Sequence, residues 1–168
     1  MKTLYLITGP AGVGKSTISL ELAHKLAKSA LIEGDMLYGQ VIGSYISPWK
    51  EGNHLNLMWQ NAIELIKNYL ENDYDVIFNY IIEPDKFNLI KETFKDYEIR
   101  FVVLMVDADT LIERDKKRDE DCQMGDRCLV LLDEFQKHNY DKKYILNTDD
   151  KNVLDCVYDI LENNNYIV

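Results

Sequence analysis

The chain alternates short, continuous apolar runs with longer stretches in which apolar residues recur every three or four positions. Leu4-Tyr5-Leu6-Ile7 reads as a buried strand, and Ile18, Leu22 and Leu26 place a helix over about Gly14 to Lys28. Ala30-Leu31-Ile32 predicts a second strand. A helix follows over about Asn53 to Leu70, with Leu55, Met58, Trp59, Ile63, Ile66 and Leu70 as its buried stripe. Val76-Ile77-Phe78 is the third strand, and Lys86 to Phe94 a short helix. Phe101 to Val106 is the fourth strand and, as the most hydrophobic, is expected at the centre of the sheet. Helices over about Thr110–Arg118 and Asp126–His138 lead to a fifth strand, Tyr144-Ile145-Leu146. A last helix runs over Asn152–Leu161 with Val153, Val157 and Leu161 turned inward. Apolar strands each followed by a helix predict an α/β fold, a parallel sheet with helices on both faces. Such sheets bind ligands at the C-terminal ends of their strands.

Glycine and proline sharpen the picture. Of eleven in total, nine fall between Gly9 and Gly52, and only Pro84 and Gly125 follow. No repeat or linker interrupts the chain, so one domain over 1–168 is expected. Its 168 residues are enough for a core without disulfides or structural metal. Lysine and arginine number 19 against 29 aspartates and glutamates, a net charge of -10. That balance argues against a broad grip on nucleic acid or an anionic membrane and favours small-molecule partners. The longest apolar run is far short of the ~20 residues that span a bilayer, and no signal peptide is apparent. Cys122, Cys128 and Cys156 show no metal-ligand spacing and read as reduced thiols, Cys128 and Cys156 as packing residues and Cys122 as exposed. The expected location is the cytoplasm, as a monomer or homodimer.

Gly9-Pro10-Ala11-Gly12-Val13-Gly14-Lys15-Ser16 matches G-x-x-x-x-G-K-[ST] in full, between the first strand and the first helix. The three glycines let backbone N–H groups turn inward as an anion nest, and the helix adds its positive end. Lys15 would sit between the outer phosphates of ATP, Ser16 would bind Mg²⁺, and Thr17 completes the set. The segment therefore predicts a nucleoside triphosphate site and a three-layer P-loop NTPase fold: a five-stranded parallel sheet with a small lid.

No N-K-x-D guanine-reading segment occurs, which argues against a GTPase. Motor and AAA-type ATPases are usually larger and carry an apolar strand ending in an acidic pair; here the third strand ends Phe78-Asn79-Tyr80. With its P-loop and element order, the chain resembles the small P-loop kinases: gluconate kinase, shikimate kinase, adenylylsulfate kinase and chloramphenicol phosphotransferase. It is most similar to bacterial proteins of the gluconate- or nucleotide-kinase-like kind. The resemblance spans nearly the whole chain, with the P-loop as its one highly specific motif.

The resemblance implies further roles. Asp35, in Ile32-Glu33-Gly34-Asp35 after the second strand, would orient or deprotonate the acceptor hydroxyl; a helix cap is the alternative. Asn79 stands where relatives carry a magnesium-organising aspartate, which shifts weight to Ser16 and Asp35, with Glu83 a possible substitute. Arg114 and Arg118, four apart and expected on one helical face, and Arg127 fall in a polar segment that resembles the kinase lid, about 115–127. By resemblance Arg114 would stack on adenine while Arg118 and Arg127 face the phosphates. The alternative is a solvated charged helix. Asn147 and Thr148 would lie beside adenine or cap the last helix, begun by Asp149 or Asp150. Tyr38, Trp49, Trp59, Asn79 and Tyr80 are candidates for the acceptor pocket, although Trp59 also fits its helix's buried stripe. True gluconate kinases place His-Pro after the strand-two aspartate and Asp-Arg before their Pro-Trp; Met36-Leu37-Tyr38 and Tyr45-Ile46 stand here instead. The expected activity is transfer of the γ-phosphate of ATP to a hydroxyl of a small molecule, with Mg²⁺; the alternative is an ATP sensor without transfer activity. A 5′-end nucleic-acid kinase would need a basic groove that the composition does not advertise.

Overall fold

A computed structural model describes residues 2–48, 50–120 and 123–168. Trp49 and Cys122, singled out above, lie outside the described residues. Five strands form one parallel sheet: β1 (Thr3–Thr8), β2 (Ser29–Glu33), β3 (Asp75–Asn79), β4 (Glu98–Met105) and β5 (Ile145–Asn147), in the order β2-β3-β1-β4-β5. The helices are α1 (Lys15–Lys25), α2 (Gly34–Tyr38), α3 (His54–Glu71), α4 (Pro84–Thr93), α5 (Ala108–Lys116), α6 (Asp126–Lys137) and α7 (Val153–Glu162).

The two-residue period of each strand divides its side chains between two cores. Leu4 and Leu6 of β1, Val76 and Phe78 of β3, and Phe101 and Val103 of β4 pack with α3 and α4 on one face. Tyr5, Ile7, Ile77, Val102 and Leu104 pack with α1, α5 and α7 on the other. Helix α6 serves both, giving Cys128 and Leu132 to the second core and Phe135 to the first. The α/β class and helices on both faces agree with expectation.

The expected centre of the sheet does not. β1, not β4, is the middle strand, paired to β3 through Leu4↔Val76 and to β4 through Leu6↔Phe101. Hydrophobicity marks any strand covered on both faces and flanked by neighbours, and β4 meets that condition one place off centre. Helix ends also move. α1 stops at Lys25 and α5 at Lys116, each short of the sequence estimate, and Asn152 rather than Asp149 or Asp150 caps α7 through a capping box with Asp155.

Because β1 is central, its C-terminal end lies over the middle of the sheet, and the ends of β2 and β3 lie beside it. Register places Ile7 beside Asn79 and Asn79 beside Glu33, so the last residues of β2 and β3 and the penultimate residue of β1 meet at one end of the sheet. At the opposite end Arg100 is structural: its guanidinium donates to the carbonyls of Ile160 and Asn163 and pairs with Glu98 at 3.1 Å.

The first core is held by stacked aromatics. Phe101 is buried against Phe87 at 4.0 Å between ring centroids, with Tyr144 edge-on at 5.4 Å. Phe101→Ala should therefore destabilise the protein by ~3–5 kcal/mol, the usual range for emptying such a site. Urea denaturation checks this, and a loss below ~1 kcal/mol would mean that the aromatic stack does not hold the core.

Candidate active site

The turn after β1 is shaped by backbone that a side chain would not permit. Gly9 has φ 149°, and a Cβ there would meet the Leu104 carbonyl oxygen at 2.4 Å. Gly12 and Gly14 follow with φ 86° and 102°, and α1 begins at Lys15. Val13 is buried beneath the loop. The loop leaves a row of donors open: the N–H groups of Gly12, Gly14, Lys15, Ser16 and Thr17 donate to no group among the described residues. Lys15 Nζ bends back into this loop and donates to the carbonyls of Gly9 (2.9 Å) and Pro10 (3.0 Å). Burial lowers its pKa to about 8, with Asp35 pulling it up and Arg118 pushing it down. Asp35 and Arg118 thus each lie within electrostatic reach of Lys15. Ser16 and Thr17 are exposed at the helix start.

Beside the loop lies a cavity of about 350 Å³ lined by Val13, Gly14, Thr17, Arg114, Thr148 and Asn152, among others. Arg114 fixes its wall, donating to the Val13 carbonyl (3.2 Å), the Thr148 hydroxyl (2.9 Å) and the Thr148 carbonyl (2.8 Å). Buried Thr148 is in turn tied to the Met105 carbonyl at the end of β4. Asn147 accepts from the Asp149 N–H. Arg114 and Thr148, read separately from the sequence, form one unit. Lys151 and Asn152 also line the cavity and were missed; the Asn-x-x-Asp spacing of a helix start was the signal for Asn152.

On the other side of the loop, Asp35 is exposed in the first turn of α2 and makes no capping hydrogen bond; Glu33 is the N-cap residue. The helix-cap alternative for Asp35 therefore fails. Asn79 is 3% exposed and donates from Nδ2 to Glu33 Oε1 at 3.3 Å. Glu33 is the carboxylate the sequence reading passed over, and the pairing of β2 with β3 is what brings it to Asn79. Tyr38 donates to the Ile46 carbonyl and meets Tyr45 edge-on at 5.8 Å. Trp59 is 5% exposed, edge-on to Phe78 and Tyr80, so it is a core residue behind Tyr80 rather than a face of the pocket. Tyr80 fits only because residue 34 is glycine, where a Cβ would lie 2.4 Å from its ring.

The lid reading needs one correction. α5 ends at Lys116, so Arg118 lies in the following turn and does not share a helical face with Arg114. Instead Arg118 pairs with Asp115 at 3.3 Å, while Arg114 turns to the cavity. Asp115, 4% exposed, also accepts from the N–H groups of Met124 and Gly125. Burial raises its pKa, but these backbone donors and Arg118 outweigh that and hold it below the usual carboxylate value. Asp115 thus closes both ends of the connecting segment, a role the sequence did not disclose. Arg127 is exposed in the first turn of α6.

Residues 6–128 match the family model described as "AAA domain". The fold is similar to that of a sugar kinase from Janibacter sp. HTCC2649 (TM-score 0.75, 14% identity, 99% of this chain and 96% of that one). It is also similar to a gluconokinase from Sinorhizobium meliloti 1021 (0.68, 17%, 95% and 89%) and to shikimate kinase from Bacteroides thetaiotaomicron (0.63, 17%, 95% and 97%). The resemblance to the small P-loop kinases expected from the sequence agrees with this family match and with the fold shared along nearly the whole chain. The chain belongs to the AAA-domain family of P-loop proteins and has the fold of the small P-loop kinases.

Proposed function

We propose that the protein transfers the γ-phosphate of ATP to a hydroxyl of a small molecule. The observation that carries this reading is the row of open N–H donors around the Lys15 ammonium, which is turned into the loop, with a carboxylate, Asp35, acting on that ammonium from the acceptor side. An isolated ammonium on two carbonyls in a desolvated loop is poorly compensated, and a polyphosphate would supply both its counter-charge and the missing acceptors. The cavity walled by Arg114 and Thr148 is the place for the base.

Among the described residues no group of three or more His, Cys, Asp or Glu could hold a metal alone. That suits Mg²⁺, which is commonly held by few protein groups together with substrate phosphates. Ser16 Oγ would bind it directly, with Glu33 and Asp35 holding its water shell; Glu33 brings the charge that Asn79 lacks. When bound, Mg²⁺ neutralises charge on the phosphate oxygens. Asp35 accepts the hydroxyl proton, Lys15 holds the phosphate oxygens, and Arg118 exchanges Asp115 for the transferring group as the lid shuts. No helix among the described residues is long and apolar enough to cross a membrane; a cytoplasmic setting, without nucleic-acid partners and as a monomer or homodimer, completes the reading.

Lys15→Ala should lower ATP affinity at least ~100-fold, because it removes a charge-assisted contact in a desolvated loop. In the intact protein, affinity should fall as pH rises through about 8, since unliganded Lys15 loses its proton there and nucleotide binding must restore it. Calorimetry at pH 8.5 in buffers of different ionisation enthalpy should show proton uptake; its absence would remove Lys15 from the phosphate contacts. Asp35→Asn should retain ATP affinity and lower kcat by ~10²–10⁴-fold. An unchanged kcat would exclude Asp35 as the base.

A further inference from the structure

The cavity beside the phosphate loop holds an unequal supply of hydrogen-bonding groups. Its volume of about 350 Å³ is that of a small ligand pocket, and Val13, Ile18, Val153 and Cys156 give it apolar walls. Its acceptors are already engaged. The Val13 and Thr148 carbonyls and the Thr148 hydroxyl each receive Arg114, and that hydroxyl donates in turn to the Met105 carbonyl. The Gly14 carbonyl receives the Ile18 N–H, and the Asn152 carbonyl the Cys156 N–H. Asn152 Oδ1 accepts from the Asp155 N–H at 3.0 Å. No aspartate or glutamate is among the described residues that line the cavity. The carboxylates nearby face other partners: Asp149 accepts from the Asp107 N–H, Asp155 from the Asn152 N–H, and Asp159 from Lys151, Asn163 and Tyr166. Asp150 is exposed and outside the lining.

The donors, by contrast, are open. Lys151 lines the cavity and gives Asp159 one of its three N–H groups. Because the helix cap takes Asn152 Oδ1, its Nδ2 is left over, and it donates to no described residue. The Val153 N–H, first in α7, is equally without an acceptor among the described residues. Arg114 has both terminal nitrogens engaged, so what it offers a base is its planar face, which stacks on any base and selects none. A base in this cavity is therefore read by donors. Adenine carries an amino group at C6, itself a donor, whereas guanine and hypoxanthine carry an oxygen there beside the N7 acceptor. The further amino group of guanine finds no carboxylate, so nothing here separates guanine from hypoxanthine.

Resting on the phosphotransfer reading and its placement of the base, we infer that the phosphate donor is not confined to ATP. The 6-oxopurine triphosphates ITP and GTP bind at least as tightly, with Lys151 as the residue that determines this specificity through the oxygen at C6.

The test measures dissociation constants for ATP, ITP, GTP and inorganic tripolyphosphate, each with Mg²⁺, by displacement of a fluorescent ATP analogue, and so needs no acceptor. ITP and GTP should bind within ~3-fold of each other and no more weakly than ATP. Lys151→Ala, a change at an exposed position, should weaken ITP and GTP by ~5-fold, as loss of a partly screened charge-assisted contact allows, and ATP by less than ~2-fold. Lys151→Arg should keep the order of the unmodified protein. ATP tighter than ITP by ~3-fold or more, or an equal loss for all three nucleotides in Lys151→Ala, would overturn the inference while nucleotide binding stands. Tripolyphosphate as tight as ATP would overturn it too, since the base would then add nothing. If none of the four displaces the analogue, the phosphotransfer reading falls and this inference with it.

Discussion

The structure turns on backbone donors that no described residue answers. A parallel sheet must end its central strand somewhere, and here the chain leaves β1 through a glycine whose neighbour on the adjacent strand β4, the Leu104 carbonyl, tolerates no Cβ. After the tight exit, α1 begins before the N–H groups of Gly12, Gly14, Lys15, Ser16 and Thr17 find acceptors among the described residues. A helix start with open donors attracts negative charge. Lys15 adds a full positive charge at the same spot, destabilised by its own desolvation. Placing an anion there relieves both costs at once, so fold and binding share one cause.

The two sides of this cradle are built by different means. On the nucleotide side Arg114 spends its donors on Val13 and Thr148, tying the phosphate loop to the end of β4 through the Met105 carbonyl. That makes the cavity wall part of the sheet's rigid end. On the acceptor side the contacts are aromatic and short-range, with Tyr80 seated on Gly34 and Trp59 packed behind it. The segment between α5 and α6 is tied to one buried carboxylate, Asp115, which accepts from two backbone N–H groups and from Arg118. Under the proposed function, a rigid cavity wall, a packed aromatic wall and an exchangeable Arg118 would suit a positioning enzyme.

Much of this was readable from the chain. The P-loop announces itself because its residue types and its strand-loop-helix setting must agree, and the hydrophobic runs place every strand to within a few residues. Position within the sheet was not readable: β4 is more apolar than β1, but order depends on crossover connections rather than on any strand's own composition. Glu33 escaped notice because its partner Asn79 is 46 residues away and only the pairing of β2 with β3 joins them. The shared face of Arg114 and Arg118 failed for a local reason, since α5 ends two residues before Arg118. Asp115 looked like one acid among many in a charged segment, and only burial distinguishes it.

The central claim is that the open N–H groups at the start of α1 receive the phosphates. Two-dimensional ¹H–¹⁵N spectra recorded while titrating a non-hydrolysable ATP analogue address it directly. The account predicts large shifts at the amides of Gly12, Gly14, Lys15, Ser16 and Thr17, saturating together. Saturable binding that leaves those five amides unmoved would contradict it.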